Sequence, residues 1–349
     1  MVNRISERFF DKGHDFDLYH RGKKILSQVI AKTGFVVDKE IFRGKVYDDK
    51  KVGSILYRGT YESKNAVLKL QGLQVNVDEV EIIRKFESQN ASKIVHAPRI
   101  YLHEKWNATR RYGFTISELV DAPFIFRRPF ASDAQMKEFC RFYQEYRTKA
   151  ITKDFLPIKK GNYVANSMEK VDYWKRLCED KGVFELQDYA PYLMRYYPIA
   201  AKHFATIPVV ISHNHITPED VFRKEDGSFV LMSNLFWGHS YQYNDLAMNI
   251  WHCWMAIRDL DYNEDELLRY VNRWIAAYKK IPIIKRDKDF DRKMSAQMLN
   301  RSIGTILADL GAANGYFWEK GANRKVLFHM LHMQQRLFGH FFEKLSECK

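Results

Sequence analysis

The apolar positions change period partway along the chain. Leu18, Ile25, Leu26, Val29 and Ile30 recur at helical spacing and predict a lead helix over 17–33. "KVGSILYRGTY" and "NAVLKLQG" are rich in β-branched and aromatic residues and read as strands, with the turn signal "ESKN" (Glu62 to Asn65) between them. In "VDEVEIIRKFESQN", Val80, Ile83 and Phe86 mark one helix face, and acidic residues fill the first turn, where the helix dipole favours them. "PRIYLHEKW" and "RYGFTISELV" return to strand character around a polar turn. From residue 131 the period is helical, starting with "SDAQMKEFCRFYQEYRTK" behind Ser132 as N-cap. "NSMEKVDYWKRLCED" and "LQDYAPYLMRYYPIAAKHFA" continue it. Two short strands joined by a polar turn, "VVISHNHITPEDVFRKEDGSFVLMSN", interrupt it over 209–234. "NDLAMNIWHCWMAIRD", "NEDELLRYVNRWIAAYKK", "MSAQMLNRSIGTILADLG" and "KVLFHMLHMQQRLFGHFFEKLSE" then restore it.

This order predicts an α+β protein. An N-terminal helical extension covers 1–35, and a small β-rich lobe with one helix after its third strand covers 36–122. A larger, mainly helical lobe covers 123–349 and carries the hairpin 209–234. A small ligand or nucleotide is expected in the cleft between such lobes. The length of 349 residues suits two lobes, and an apolar fraction of 46% with 15% aromatics supplies a core.

The formal net charge of +13 favours anionic partners. Its densest stretch, "KKIPIIKRDKDFDRK" (279–293), is diluted by Asp287, Asp289 and Asp291 and reads as a solvated connector. No nucleic-acid-binding signature accompanies it, so nucleic acid is not the expected partner. Cys140, Cys178, Cys253 and Cys348 form no CxxC pair and read as reduced thiols. The charged N-terminus does not read as a signal peptide, and no run approaches the ~20 apolar residues of a membrane span, so a cytoplasmic location is expected.

Four local patterns, in this order, resemble the aminoglycoside phosphotransferase and choline kinase-like family, which has a protein-kinase-like two-lobed fold. In "AVLKL", Lys69 stands where the family has the third-strand lysine that contacts nucleotide phosphates. In "DEVEIIRKF", Glu79 lies seven residues before Phe86, the spacing of the acidic residue that partners that lysine; Glu81 is the substitute. "FTISELVDAP" resembles the hinge, where backbone groups of Glu118, Leu119 and Val120 would meet an adenine ring. "ISHNHITPEDVF" resembles the catalytic loop, with His213, Ile216, Thr217, Pro218 and Val221 in register. "SFVLMSNLFWG" follows as the metal-binding strand, and Asp245 in "NDLAMNIW" matches the Asp-Leu-Ala that opens the next helix and braces the loop.

The resemblance implies phosphoryl transfer from ATP with Mg²⁺, a matter of positioning and electrostatics. Three polar positions depart from it. His215 replaces the loop aspartate, Asp220 the loop asparagine, and Ser233 the metal-binding aspartate; Asn214 replaces the glycine before the loop aspartate. Magnesium prefers carboxylate and phosphate oxygens, and Ser233 brings no charge. Only Gly53 and Gly59 remain in the glycine-loop region.

The leading expectation is therefore a catalytically impaired pseudokinase that binds a nucleotide, small ligand or protein partner. The alternative is an active kinase of a small hydroxylated molecule, with His215 as base, Asp220 on the metal and Lys69 on the phosphates. A third reading has His213 and His215, with Asp220 or His239, binding a transition metal. Trp251, Trp254 and the C-terminal helix read as core, the helix also as an oligomer surface. The acceptor pocket would come from 131–205 and the C-terminal helices, where Tyr173, Trp174 and Lys175 form no pattern that names a substrate.

Overall fold

A computed structural model describes residues 21–45, 52–72, 77–126, 131–158, 161–181, 184–254, 263–312 and 323–348. The chain divides into two compact units. The first comprises the described residues up to Ser88, with His96–Ala122 and Lys224–Leu235. The second comprises Gln89–Val95, Pro123–Arg223 and the described residues from Phe236 onward. The stretch read as one hairpin thus divides between them after Arg223.

In the first unit, helix α1 (Arg21–Thr33) precedes strands β1 (Val36–Lys45), β2 (Val52–Tyr61) and β3 (Lys64–Gln71). Helix α2 (Glu79–Gln89) follows, the chain leaves this unit at its end and returns within β4 (Val95–His96), and β5 (Ile100–Asn107) and β6 (Tyr112–Glu118) complete the unit. An antiparallel five-stranded sheet forms in the order β1-β2-β3-β6-β5. The predicted turn is a two-residue loop: Tyr61 pairs with Lys64, and Glu62 and Ser63 have φ of 48° and 62°. Two positive φ values give the type I′ geometry that matches strand twist. Ile25 and Val29 of α1 pack with Phe35, Ile55, Leu68, Leu70, Phe114 and Ile116, so the lead helix is part of this unit's core. Gly59 is there for close approach: a Cβ on it would lie 2.0 Å from the Val36 carbonyl oxygen.

The second unit contains α3 (Asp133–Glu145), α4 (Tyr163–Lys181), α5 (Leu186–Phe204), β7 (Val209–His213) and β8 (Val221–Arg223). Strand β9 (Phe229–Leu231) belongs to the first unit. Strand β10 (Trp237–Tyr241), α6 (Asn244–Trp254), α7 (Glu264–Tyr278), the short α8 (Pro282–Lys285), α9 (Phe290–Gly304) and α10 (Arg324–Glu347) complete the second. Ser132 caps α3 through a reciprocal capping box with Gln135. Phe126, Phe139, Trp274 and Tyr278 pack ring on ring at the α3–α7 contact. Strand β7 pairs antiparallel with β10. The basic connector is locally paired: Lys279 bonds Asp291, Lys293 bonds Asp287, and Arg292 bonds Asp289. Trp251 is half-buried, whereas the Trp254 side chain lies outside the described residues. Among the described residues no helix is long and apolar enough to cross a membrane.

Candidate functional site

Lys69, Thr115 and His103 stand side by side on one face of the first unit's sheet. Thr115 of β6 is the register partner of both Lys69 on β3 and His103 on β5, and directly opposed residues share a face. Two consecutive acidic residues at the start of α2 reach this row. Glu79 Oε2 lies 2.7 Å from Lys69 Nζ, and Asp78 Oδ2 lies 3.0 Å from His103 Nε2. His103 Nδ1 is 3.0 Å from Thr115 Oγ1. Asp78 Oδ1 also accepts the Val80 N–H at 2.9 Å, capping the helix. Burial works to raise the Asp78 pKa, but His103 and the Val80 and Glu81 amides outweigh it and hold the carboxyl below its ordinary value. The first turn of α2 is therefore fastened at two points, one buried and one half-exposed.

Glu81, the substitute partner, faces elsewhere and pairs with Lys105 at 2.9 Å. His103 and Asp78 were not singled out from the sequence; the only signal was an acidic residue one position before the helix. His103→Ala removes the buried fastening. It is expected to cost about 1–3 kcal/mol in urea unfolding, since the Asp78 carboxylate loses its imidazole. Amide exchange in the first turn of α2 should quicken. Unchanged exchange there would mean that Glu79 alone holds the helix.

The stretch expected to act as a hinge, Glu118 to Val120, has most of its amides already engaged. The Glu118 N–H donates to Arg99 O at 2.8 Å and the Leu119 N–H to Asn65 O at 3.3 Å. The Glu118 carboxylate takes Lys224 Nζ at 2.6 Å. Of the three amides, only that of Val120 donates to no group among the described residues. Ser233 follows β9 in the same unit and has a left-handed backbone, φ 56°. Asn234 beside it is buried, and its amide bonds Leu231 O at 2.8 Å.

In the second unit the loop after β7 separates its two histidines. His213 is fully buried and meets the Trp237 ring edge-on, with centroids 5.4 Å apart. Its N–H donates to Tyr146 Oη at 2.7 Å. His215 is partly exposed, stacks on Phe236 at 4.3 Å, and places Nδ1 3.0 Å from Asp220 Oδ2. An ionised carboxylate can only accept, so opposite ionised Asp220 the Nδ1 is the donor, which leaves Nε2 facing away from the pair. The same Oδ2 also accepts the Thr217 N–H at 3.1 Å and Thr217 Oγ1–H at 2.6 Å. Asp220 is thus turned into its own loop. Asn214 Oδ1 accepts from Ser212 Oγ at 3.0 Å and Asn244 Nδ2 at 3.3 Å.

A brace missed at the sequence level holds this loop. After α3 the hydrogen bonding widens to i→i+5, with Ile151 N–H on Tyr146 O at 3.1 Å. This turn presents Tyr146 to His213 and Arg147 Nη1 to Ile211 O at 2.8 Å. Asp245 joins from α6, accepting Tyr143 Oη at 3.1 Å and the Leu246 N–H at 2.9 Å. Burial raises the Asp245 pKa above its ordinary value, against the pull of Arg147 and of these hydrogen bonds. For Arg147, burial opposes the charge, but Tyr143, Tyr146 and Asp245 outweigh it and raise the pKa. The sequence signal was the Tyr143, Tyr146, Arg147 spacing, which read only as a helix face.

Neither of the two residues expected to hold magnesium is suited to it on its own terms. Ser233 is uncharged, and Asp220 Oδ2 already has three partners. No group of three or more His, Cys, Asp and Glu side chains that could hold a metal exists among the described residues. His213 and His215 therefore belong to no such group among the described residues. His239 instead lies 3.6 Å from Asp154.

No protein-family model matches the chain, and no curated protein matches it by sequence. Solved structures do. A thermostable mutant of aminoglycoside phosphotransferase APH(4)-Ia, in its apo form, superposes with a TM-score of 0.61 at 10% identity, covering 93% of this chain and 99% of that one. Ethanolamine kinase from Plasmodium vivax gives 0.57 at 12% identity, covering 93% and 86%. Spectinomycin phosphotransferase APH(9)-Ia, in complex with ADP and spectinomycin, gives 0.51 at 14% identity, covering 93% and 97%. With its antiparallel sheet unit and its helical unit, the chain has the protein-kinase-like fold of the aminoglycoside phosphotransferases and ethanolamine kinase.

Proposed function

We propose that this chain is a pseudokinase on a small-molecule phosphotransferase fold: it binds an adenine nucleotide and transfers phosphate poorly or not at all. Nucleotide binding is supported by Lys69, held 2.7 Å from Glu79, and by the Val120 amide. It is supported also by the spectinomycin phosphotransferase of the same fold, whose structure contains ADP. Lys69 would take the phosphates and the Val120 backbone the adenine edge. The single observation that carries the impairment is the missing metal charge. Ser233 is neutral, and Asp220, the carboxylate at the loop asparagine position, is spent on Thr217 and His215.

One observation favours a second reading. His215 is oriented by Asp220 through Nδ1, and in the neutral ring Nε2 would be free to act as a general base. In that reading it takes the proton of a hydroxylated acceptor.

Calorimetric titration with ATP, with and without Mg²⁺, separates the two. The pseudokinase reading expects affinities within about threefold of each other under the two conditions. It also expects no ADP formation with a panel of amino alcohols, aminoglycosides and polyols. Lys69→Met should weaken binding at least about tenfold, because a charge-assisted phosphate contact is lost. Tight Mg²⁺-dependent binding with turnover that His215→Ala abolishes would establish the second reading instead.

A further inference from the structure

Arg301 sits in the second unit with its charge poorly answered. It lies near the end of α9, just before the backbone widens into i→i+5 hydrogen bonding over Thr305–Gly311. Its guanidinium carbon is 5.7 Å from the centre of the Trp251 ring. One terminal nitrogen, Nη1, rests 3.7 Å from Met248 Sδ. Nε is buried and has no hydrogen-bond partner, and Arg301 forms no ion pair among the described residues. A guanidinium carries five donors in a planar fork, and a buried donor left without a partner is costly. A thioether and a ring face do not meet that demand.

The surroundings add to the positive charge. Asp309, on the widened turn, is the nearest acid, but burial pushes its pKa up to about 7 against the pull of Arg301 and Lys170. Near neutral pH it is therefore an incomplete counter-charge. Exposed Lys170 acts on the same carboxyl. Thr305 and Trp251 fix the wall: Trp251 Nε1 donates to Thr305 Oγ1 at 2.5 Å, and Thr305 Oγ1 donates to Arg301 O at 2.8 Å. Arg301 and Asp309 both remain partly exposed, so solvent reaches the cluster. Helix α6, which supplies Trp251, also supplies His252, whose ring is 5.9 Å from that of His215.

We propose that Arg301, backed by Trp251 and flanked by Lys170, is the recognition point for the carboxylate or phosphate group of a small hydroxylated anion. Arginine suits this task because its fork matches two oxygens of either group. This site is independent of the Lys69 site and stands whether or not a nucleotide binds there.

The test uses the full chain carrying Lys69→Met, so that phosphate bound at Lys69 cannot contribute. Glycerol 3-phosphate and glycerate are the probes, glycerol and ethanolamine the controls, and thermal shift with calorimetry the readouts. Both anions should raise the melting temperature and the controls should not; the tighter of the two identifies the oxyanion. Arg301→Met keeps the packing volume and removes the charge. It should melt no lower than its parent, because a buried donor without a partner is gone, and it should bind the anion at least about tenfold more weakly. Arg301→Lys, a point charge without the fork, should recover only part of the affinity. Equal anion binding by Arg301→Met, or no anion binding by its parent, overturns the proposal. Because ATP binding by the unsubstituted chain is measured separately, failure here is distinguishable from failure at Lys69.

Discussion

Ser233→Asp is expected to make nucleotide binding magnesium-dependent, raising ATP affinity in Mg²⁺ at least about tenfold while leaving the metal-free affinity near its starting value. The substitution supplies a hard carboxylate oxygen at the position where the sequence resemblance places the metal-binding aspartate. The local backbone favours it, because residue 233 has φ 56° and aspartate enters the left-handed region more readily than serine. Ser233→Asn is the matched control, sharing the backbone preference and lacking the charge. Calorimetry with and without Mg²⁺ reads both. If Asp and Asn behave alike, the missing charge at 233 is not what weakens the metal site. The pseudokinase proposal would then lose its central support.

Arg147→Met is expected to destabilise the second unit by about 3 kcal/mol in urea unfolding at neutral pH. It strands a buried carboxylate and leaves the Ile211 carbonyl without its donor. The partner at fault is Asp245, whose pKa is already raised by burial. Without the guanidinium it rises further. A carboxyl with a raised folded pKa binds more protons in the native state, so stability is lost as pH climbs from about 4 through that pKa. The Arg147→Met deficit should therefore be smallest near pH 4 and largest near pH 8. Arg147→Met combined with Asp245→Asn should flatten that pH dependence and recover part of the loss. A deficit independent of pH would place the damage in the Tyr146 packing rather than in the charge pair.

Much of the fold was legible because its signals were local. The Ser132 cap, the turn at Glu62 and Ser63, and the change from strand to helical period are each written within a few residues. Lys69 with Glu79 was readable for the same reason: a strand lysine, then an acidic residue seven before a buried Phe86. What escaped depends on contacts between distant segments. Asp78 meets His103 across 25 residues, and Tyr146 meets His213 across 67. No period or spacing encodes such a pair. Asp220 shows a subtler limit. Its identity hinted at a metal ligand, and only the three hydrogen bonds on one oxygen revealed a loop-capping carboxylate that orients His215. Glu118 likewise read as hinge backbone, whereas its carboxylate is taken by Lys224, 106 residues on.

The row of Lys69, Thr115 and His103 has a kinetic consequence. In a kinase-type fold, the helix that carries the acidic partner must be in place before the lysine is set. Here Asp78, anchored on His103, fixes the start of that helix independently of Glu79. The ordering entropy of the pair is then met during folding rather than during capture of a ligand. Under the proposed nucleotide-binding role, a phosphate arriving at Lys69 would meet a side chain already in position, and its association would have no helix movement to wait for.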